Sequence, residues 1–147
     1  EELPDGDYTC ALDQADLVQE GSDVTILTYS RMRHHCLKAV EQLEADGISV
    51  ELIDLISLKP FDMETIAKSI RKTHRVIVVE ECMKTGGIGA ELIALITEHC
   101  FDDLDARPIR LSSQDIPTPY NGNLENLTII QPHQIVETAQ AIVRKGL

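Results

Sequence analysis

Four consecutive β-branched residues, Val76-Ile77-Val78-Val79, run into two carboxylates, Glu80 and Glu81, then Cys82, and then the glycine-rich stretch Gly86-Gly87-Ile88-Gly89. No other stretch constrains the fold as tightly. Such an apolar run is a strand buried on both faces. The glycines turn the chain. Ile88, Leu92, Leu95 and Ile96 then recur at i, i+4, i+7 and i+8, one face of a helix. A buried strand feeding an amphipathic helix belongs to a βαβ arrangement, and so to a mainly parallel sheet. In such sheets ligands gather at the carboxyl ends of the strands. Any chemistry this chain carries is therefore sought first around Glu80–Gly89.

The rest of the chain supplies matching units. Residues 1–14 are polar and turn-rich and read as a linker or arm; residues 15–147 read as one domain. Ala15–Gln19 is a short strand. Gly21-Ser22 turns the chain into the stronger strand Val24–Tyr29, which predicts an antiparallel hairpin with the first strand at an edge. Ser30 is placed to cap a helix over about 31–46, with Met32, Cys36, Val40 and Leu43 inward and Gly47 at its end. Ser49–Leu55 is the next strand. Asp62 is placed to cap a helix over about 63–72. Ala106–Leu111 is a short strand with Pro108 inside it, hence peripheral. Residues 112–126 read as a long irregular loop of the kind that often forms a functional surface. Leu127–Ile130 is a strand or a packed extended segment. Pro132 opens a last helix whose inward stripe is Ile135, Val136, Ala139, Ile142 and Val143, ended by Gly146. The expected fold is a three-layer α/β sandwich around a mainly parallel sheet.

Composition excludes several classes of function. The net charge of −12 argues against nucleic acid and anionic membranes, since neutralising phosphates takes clustered Lys and Arg. No apolar run reaches the length of a membrane span, and no signal peptide is visible. The chain begins at Glu1 without an initiator methionine, which suggests a processed protein or a fragment. Cys10, Cys36, Cys82 and Cys100 show no C-x-x-C spacing and read as free, buried thiols in a reducing compartment. His34 and His35 are adjacent, so on a helix they point about 100° apart and cannot chelate as an i, i+4 pair does.

Each candidate site has a plainer reading. The turn at Gly86, Gly87 and Gly89 offers helix N–H groups to a phosphate. Its spacing fits neither G-x-G-x-x-G nor the Walker pattern, and Glu80, Glu81 and Glu91 would repel an anion. The same glycines serve to let the helix approach the sheet closely. Glu80 and Glu81 face opposite ways on a strand, so they do not form a carboxylate dyad without a bulge. One of them reads better as a cap for the following helix. Cys82 lies near a helix N-terminus but has no nearby histidine in sequence. Ser112-Ser113 lacks a nucleophile elbow. Arg31 and Arg33 oppose the helix macrodipole, which hints at neighbouring carboxylates, although a solvated face is the simpler explanation.

An ordered set of segments resembles a known family. These are Val24–Met32, Ile53–Asp62, Lys72–Glu81, Gly86–Glu91 and Asp115–Tyr120. Together they resemble the C-terminal domain of the beta subunit of pyruvate dehydrogenase, a transketolase C-terminal domain, in its plastid or cyanobacterial form. The resemblance covers nearly the whole chain. It implies a five-stranded sheet with four parallel strands and one antiparallel edge strand. It implies thiamine diphosphate and Mg2+ in the holoenzyme, held by the alpha subunit and the N-terminal half of the beta subunit. No catalytic, cofactor-binding or metal-binding residue is therefore carried onto this chain, which is expected to be inactive alone and to bind no cofactor itself. The implied partners are the alpha subunit, a second beta subunit, and the basic peripheral subunit-binding domain of dihydrolipoamide acetyltransferase. Gly86, Gly87, Gly89, Asp115, Pro117 and Tyr120 are the candidate subunit contacts. The implied location is the chloroplast stroma or a cyanobacterial cytoplasm. A rival reading is a free-standing nucleotide- or thiamine-diphosphate-binding module built on the Gly86–Gly89 turn.

Overall fold

The computed structural model describes residues 6–145. The chain order is β1 (Asp16–Gln19), β2 (Val24–Thr28), α1 (Met32–Ala45), β3 (Val50–Asp54), α2 (Met63–Thr73), β4 (Val76–Met83), α3 (Ile88–Cys100), β5 (Ile109–Ser113), α4 (Gly122–Thr128) and α5 (Pro132–Lys145). A single sheet runs β1-β3-β2-β4-β5. β2 pairs parallel with β3 and β4, and β4 pairs parallel with β5. β1 is the antiparallel edge. The three-layer α/β sandwich and the five-stranded sheet are as expected.

Strand periodicity divides the core into two faces. Val24, Ile26, Val50, Leu52, Ile77 and Val79 pack under α1 and α5. Leu27, Ile53, Val76 and Val78 pack under α2 and α3. Thr25, on the second face, is also buried. Its hydroxyl lies 2.6 Å from both Ser69 Oγ and Thr73 Oγ1, so a polar spot beneath α2 is satisfied by side chains of that helix.

Four details differ from expectation. The first two strands form no hairpin, because β1 pairs with β3. All five residues of β2 are buried, so β2 takes a partner on each side and β1 goes to the rim. The link between them passes over the start of β3: Ser22 and Asp23 N–H donate to the Ser49 carbonyl at 3.3 and 2.8 Å. A Cβ on Gly21 would lie 2.1 Å from the Val50 carbonyl carbon, so this crossing requires glycine. Ser30 does not cap α1. It adopts φ +55° and its carbonyl accepts from Arg33 N–H, while Arg31 occupies the cap position without a side-chain bond. Residues 122–128 are helical, capped by Asn121, whose side chain accepts from Asn123 and Leu124 N–H. The extended segment expected over 127–130 is confined to Ile129-Ile130, both buried. Finally, Cys36 and Cys100 are buried as expected, but Cys10 and Cys82 are exposed.

Gly47, at φ +77°, ends α1 as expected. The end of α5 expected at Gly146 and the first five residues of the expected arm lie outside the described residues. Among those described, residues 6–14 are exposed and carry no helix or strand. No described helix is long and apolar enough to cross a membrane.

The Asp62 cap is formed as read. Its Oδ1 accepts from Thr65 N–H at 3.0 Å and its Oδ2 from Ala15 N–H at 3.0 Å. Burial raises the Asp62 pKa, but the hydrogen bonds from Thr65 and Ala15 outweigh it and hold the carboxyl below its ordinary range. Asp62→Ala should destabilise the protein by about 1 kcal/mol in urea unfolding at neutral pH. A depressed folded pKa contributes stability above the unfolded value and loses it as pH falls through the folded value. The difference between wild type and Asp62→Ala should therefore shrink below roughly pH 4.

Candidate functional site at the carboxyl edge of the sheet

β4 runs past its apolar segment to Met83, with an irregularity in its pairing to β5 between Val79 and Met83. Glu80 and Glu81 still point to opposite sides. The Glu80 side chain is fully buried. Its Oε1 accepts from Ser112 Oγ at 2.8 Å and lies 3.0 Å from Arg110 Nε. Its Oε2 accepts from Gly89 N–H at 2.8 Å and from the Tyr29 hydroxyl at 3.3 Å. Three hydrogen-bond donors, from α3, β5 and the residue after β2, and the Arg110 guanidinium, whose Nε–H donates to Ser112 Oγ at 2.8 Å, thus converge on one carboxylate. Burial, then Cys82 and Glu80, push the Tyr29 phenol well above its ordinary pKa, so Tyr29 stays a donor.

This network explains the glycines. A Cβ on Gly87 would lie 2.6 Å from the Met83 carbonyl and 3.0 Å from Glu80 Oε1; one on Gly89 would lie 2.6 Å from Glu80 Oε1 and 3.0 Å from Arg110 Cδ. Gly86 adopts φ +79°. The anion at the N-terminus of α3 is the chain's own Glu80, and an incoming phosphate would have to displace it. Among the described residues, no group of three His, Cys, Asp or Glu could hold a metal ion. The residues present do not fit a diphosphate with its magnesium.

Glu81 points to the other side, where Arg31 lies 3.3 Å from both Glu81 Oε1 and Glu125 Oε1 and reaches Asn126 Oδ1 at 3.4 Å. Arg33 pairs with Asp16 at 3.0 Å and Asp54 at 3.1 Å. The misplaced arginines at the start of α1 thus have carboxylate partners on β1, β3, β4 and α4. Asp115 takes both polar groups of Thr85, the N–H at 2.8 Å and the hydroxyl at 2.7 Å, and these bonds lower its pKa. So the structure joins the Gly86–Gly89 turn to Asp115 through Thr85. Pro117 and Tyr120 bond neither segment; both are exposed, Tyr120 completely.

Sequence reasoning missed two features of this edge. One is a cavity of about 850 Å³ between the loop after β3 and the start of α3, lined by Leu58, Phe61, Met63, Cys82, Ile88 and Leu95. It forms where non-consecutive segments meet, so no local pattern announces it. The other is α4, for which Asn121 followed by Leu124 and Leu127 was the available signal.

Residues 13–135 match the transketolase C-terminal domain family. The chain is 62% identical over 146 residues, 99% of its length, to the pyruvate dehydrogenase E1 component subunit beta of Porphyra purpurea, of which it covers 44%. It is 54% identical over 97% of its length to subunit beta-2, chloroplastic, of Arabidopsis thaliana, of which it covers 35%. The chain therefore spans less than half of these relatives. Among solved structures it is similar to a split-gene transketolase described as an inactive beta4 tetramer, with a TM-score of 0.80 and 26% identity over 98% of this chain and 46% of that one. A 2-oxoglutarate:ferredoxin oxidoreductase shares the fold, with a TM-score of 0.60 at 18% identity over 88% of this chain and 19% of that one.

Gly89→Ala should destabilise the protein by about 3 kcal/mol, because the methyl group enters the space held by Glu80. Glu80→Gln should cost a similar amount, since it leaves the Arg110 guanidinium uncompensated in the interior. Combined with Glu80→Ala, Gly89→Ala should cost clearly less than it does alone. Urea unfolding of the four variants checks this coupling; additive effects would refute it.

Proposed function

This chain belongs to the transketolase C-terminal domain family, and from that premise we propose that it is the C-terminal assembly domain of a pyruvate dehydrogenase E1 beta subunit. In this reading it supports oxidative decarboxylation of pyruvate to acetyl-CoA and CO2 within the full complex, and has no activity alone. Its partners are the alpha subunit, a second beta subunit and the peripheral subunit-binding domain of the dihydrolipoamide acetyltransferase. Thiamine diphosphate and Mg2+ belong to the holoenzyme. The proposed location is the plastid, supported by the chloroplastic relative.

One observation carries the reading: the carboxyl edge of the sheet, where an enzyme of this class would place its chemistry, is occupied by the chain's own side chains. Glu80 fills the anion position of α3, and Arg31, Glu81, Thr85 and Asp115 tie the surrounding loops together. Such an edge is built to be presented, not to turn over substrate. The contacts proposed for it are Gly86, Gly87, Asp115, Pro117 and Tyr120; Gly89, also a candidate, is buried beside Glu80 and holds the turn. The similarity to a transketolase chain described as an inactive beta4 tetramer supports a domain that assembles without catalysing. The acidic surface supports docking of a basic module, since complementary charge steers encounter.

The mechanism of this domain is positional. Its residues hold loops in one geometry against a partner and touch no reacting atom. The thiamine cofactor supplies the decarboxylation chemistry when bound elsewhere in the assembly.

The purified chain should show no turnover of pyruvate with thiamine diphosphate and Mg2+; measurable decarboxylation would refute the assembly reading. Titration of isotope-labelled chain with the peripheral subunit-binding domain should give saturable amide shifts confined to one acidic surface. Those shifts should weaken as salt rises. Their absence at about millimolar partner would remove docking from the proposal.

A further inference from the structure

The cavity of about 850 Å³ at the carboxyl edge is used neither by the Glu80 network nor by the assembly role. It opens between the loop that follows β3 and the first turns of α3. Leu58, Phe61 and Met63 form one wall, and Ile88 and Leu95 form the other. Leu58, Phe61 and Met63 pack on the core beneath α2 and α3, yet each keeps part of its surface on this open space. Small-molecule sites have this size and this mainly apolar lining.

The walls hold their shape through the chain's own bonds. Leu55 N–H donates to the Thr28 carbonyl at 2.9 Å. Ile56 N–H donates to the buried Asp54 carboxylate at 3.2 Å, and Ile56 is fixed at φ +56°, which a β-branched side chain adopts only at a cost. Met63 N–H donates to the Phe61 carbonyl at 3.0 Å, and Asp62 caps α2. Across the cavity, Glu80 fixes the start of α3 through Gly89. A loop tied at both ends in this way does not fold inward to close the space. Binding to such a pre-formed cavity escapes most of the cost of ordering.

Charge identifies what the cavity takes. Its lining holds one cation, Lys59 on the loop, and one anion, Glu91 on α3. Among the described residues neither is in an ion pair, so they do not pair with each other. The N-terminus of α3 already has its anion in Glu80, so Glu91 is not needed there. An apolar anion would be drawn by Lys59 and repelled by Glu91; for an apolar cation the signs reverse. A molecule that carries both charges beside an apolar group suits both rims. That is the chemistry of an α-amino acid with a large apolar side chain. Its carboxylate faces Lys59, its ammonium faces Glu91, and its side chain lies against Phe61 and Leu95.

We propose that the cavity between the loop after β3 and α3 is a binding site for a free α-amino acid with a large apolar side chain, held at its two charged groups by Lys59 and Glu91. This goes beyond the assembly reading, because its ligand is a small molecule and not a partner chain.

Two thiols report on the site. Cys82 is exposed and lines the cavity; Cys10 is exposed, precedes β1 and is not part of the lining; Cys36 and Cys100 are buried. Alkylation of the whole chain by iodoacetamide, read thiol by thiol by mass spectrometry, therefore separates occupancy of the cavity from a general effect. L-Phenylalanine should slow alkylation of Cys82 saturably, with half the effect at about millimolar or below, and leave Cys10 unchanged. It should also raise the melting midpoint. 3-Phenylpropionate lacks the ammonium and 2-phenylethylamine lacks the carboxylate, so each should need at least about tenfold more. Lys59→Ala and Glu91→Ala, both at exposed positions, should weaken L-phenylalanine about tenfold and keep wild-type circular dichroism. Leu95→Trp, which fills the cavity, should abolish protection. No protection of Cys82 by L-phenylalanine or L-leucine at about 10 mM would overturn the proposal. So would equal protection by 3-phenylpropionate or 2-phenylethylamine, protection undiminished in both charge variants, or slowing of Cys10 and Cys82 alike. The turnover assay and the docking titration read neither thiol, so the ligand site and the assembly role fail separately.

Discussion

A single buried carboxylate organises the functional end of this domain. Isolated in the interior, ionised Glu80 would be costly by several kcal/mol. Three donors and one cation offset that cost, from three places: Gly89 at the start of α3, Ser112 and the Arg110 guanidinium on β5, and Tyr29 just past β2. The interaction therefore sets more than its own energy. It fixes how close α3 lies to the sheet, which demands glycine at positions 87 and 89. It fixes the turn that carries Thr85, and through Thr85 the segment that carries Asp115. Arg110 contributes its Nε and leaves its Nη2 buried without a partner, so the network relies on one geometry with little slack.

The same economy shapes the surface. Arg31, Arg33, Arg71, Lys72, Arg75 and Arg110 all pair with carboxylates of the chain. Nearly half of the thirteen cationic side chains are thereby drawn into internal contacts. The carboxylates outnumber them almost two to one, and the excess is left to face solvent. Acidity is thus a surface property that favours cationic partners over most of the molecule. Around α4 it is locally suppressed, since Asp115 and Glu125 are the only charged residues between Leu111 and Val136.

Much of this was legible locally. The Val76–Val79 run, the Asp62 cap, Gly47 and the stripes of α1, α3 and α5 follow from periodicity and cap chemistry over a few residues. So did the choice between a carboxylate dyad and a capping role for Glu80, because neighbouring strand residues must face apart. The pairing of β1 was not legible: a short glycine turn suits a hairpin, and only the complete burial of β2 shows that β3 must come between. Helix α4 was hidden because it is seven residues long, so Leu124 and Leu127 are one i, i+3 pair and no repeating stripe. The groups gathered on Glu80 come from residues 29, 89, 110 and 112, a convergence that spacing along the chain does not encode.

The crossing at Gly21 has a consequence for the order of events as the chain folds. β1 precedes β2 and β3 in the chain, yet Asp16 pairs with Asp54 and Leu17 with Ile53. Until β3 is in place, β1 has no strand to lie against. Contacts of that sequence separation form late. The edge strand, first of the five in chain order, therefore takes its place only after β3 is in position.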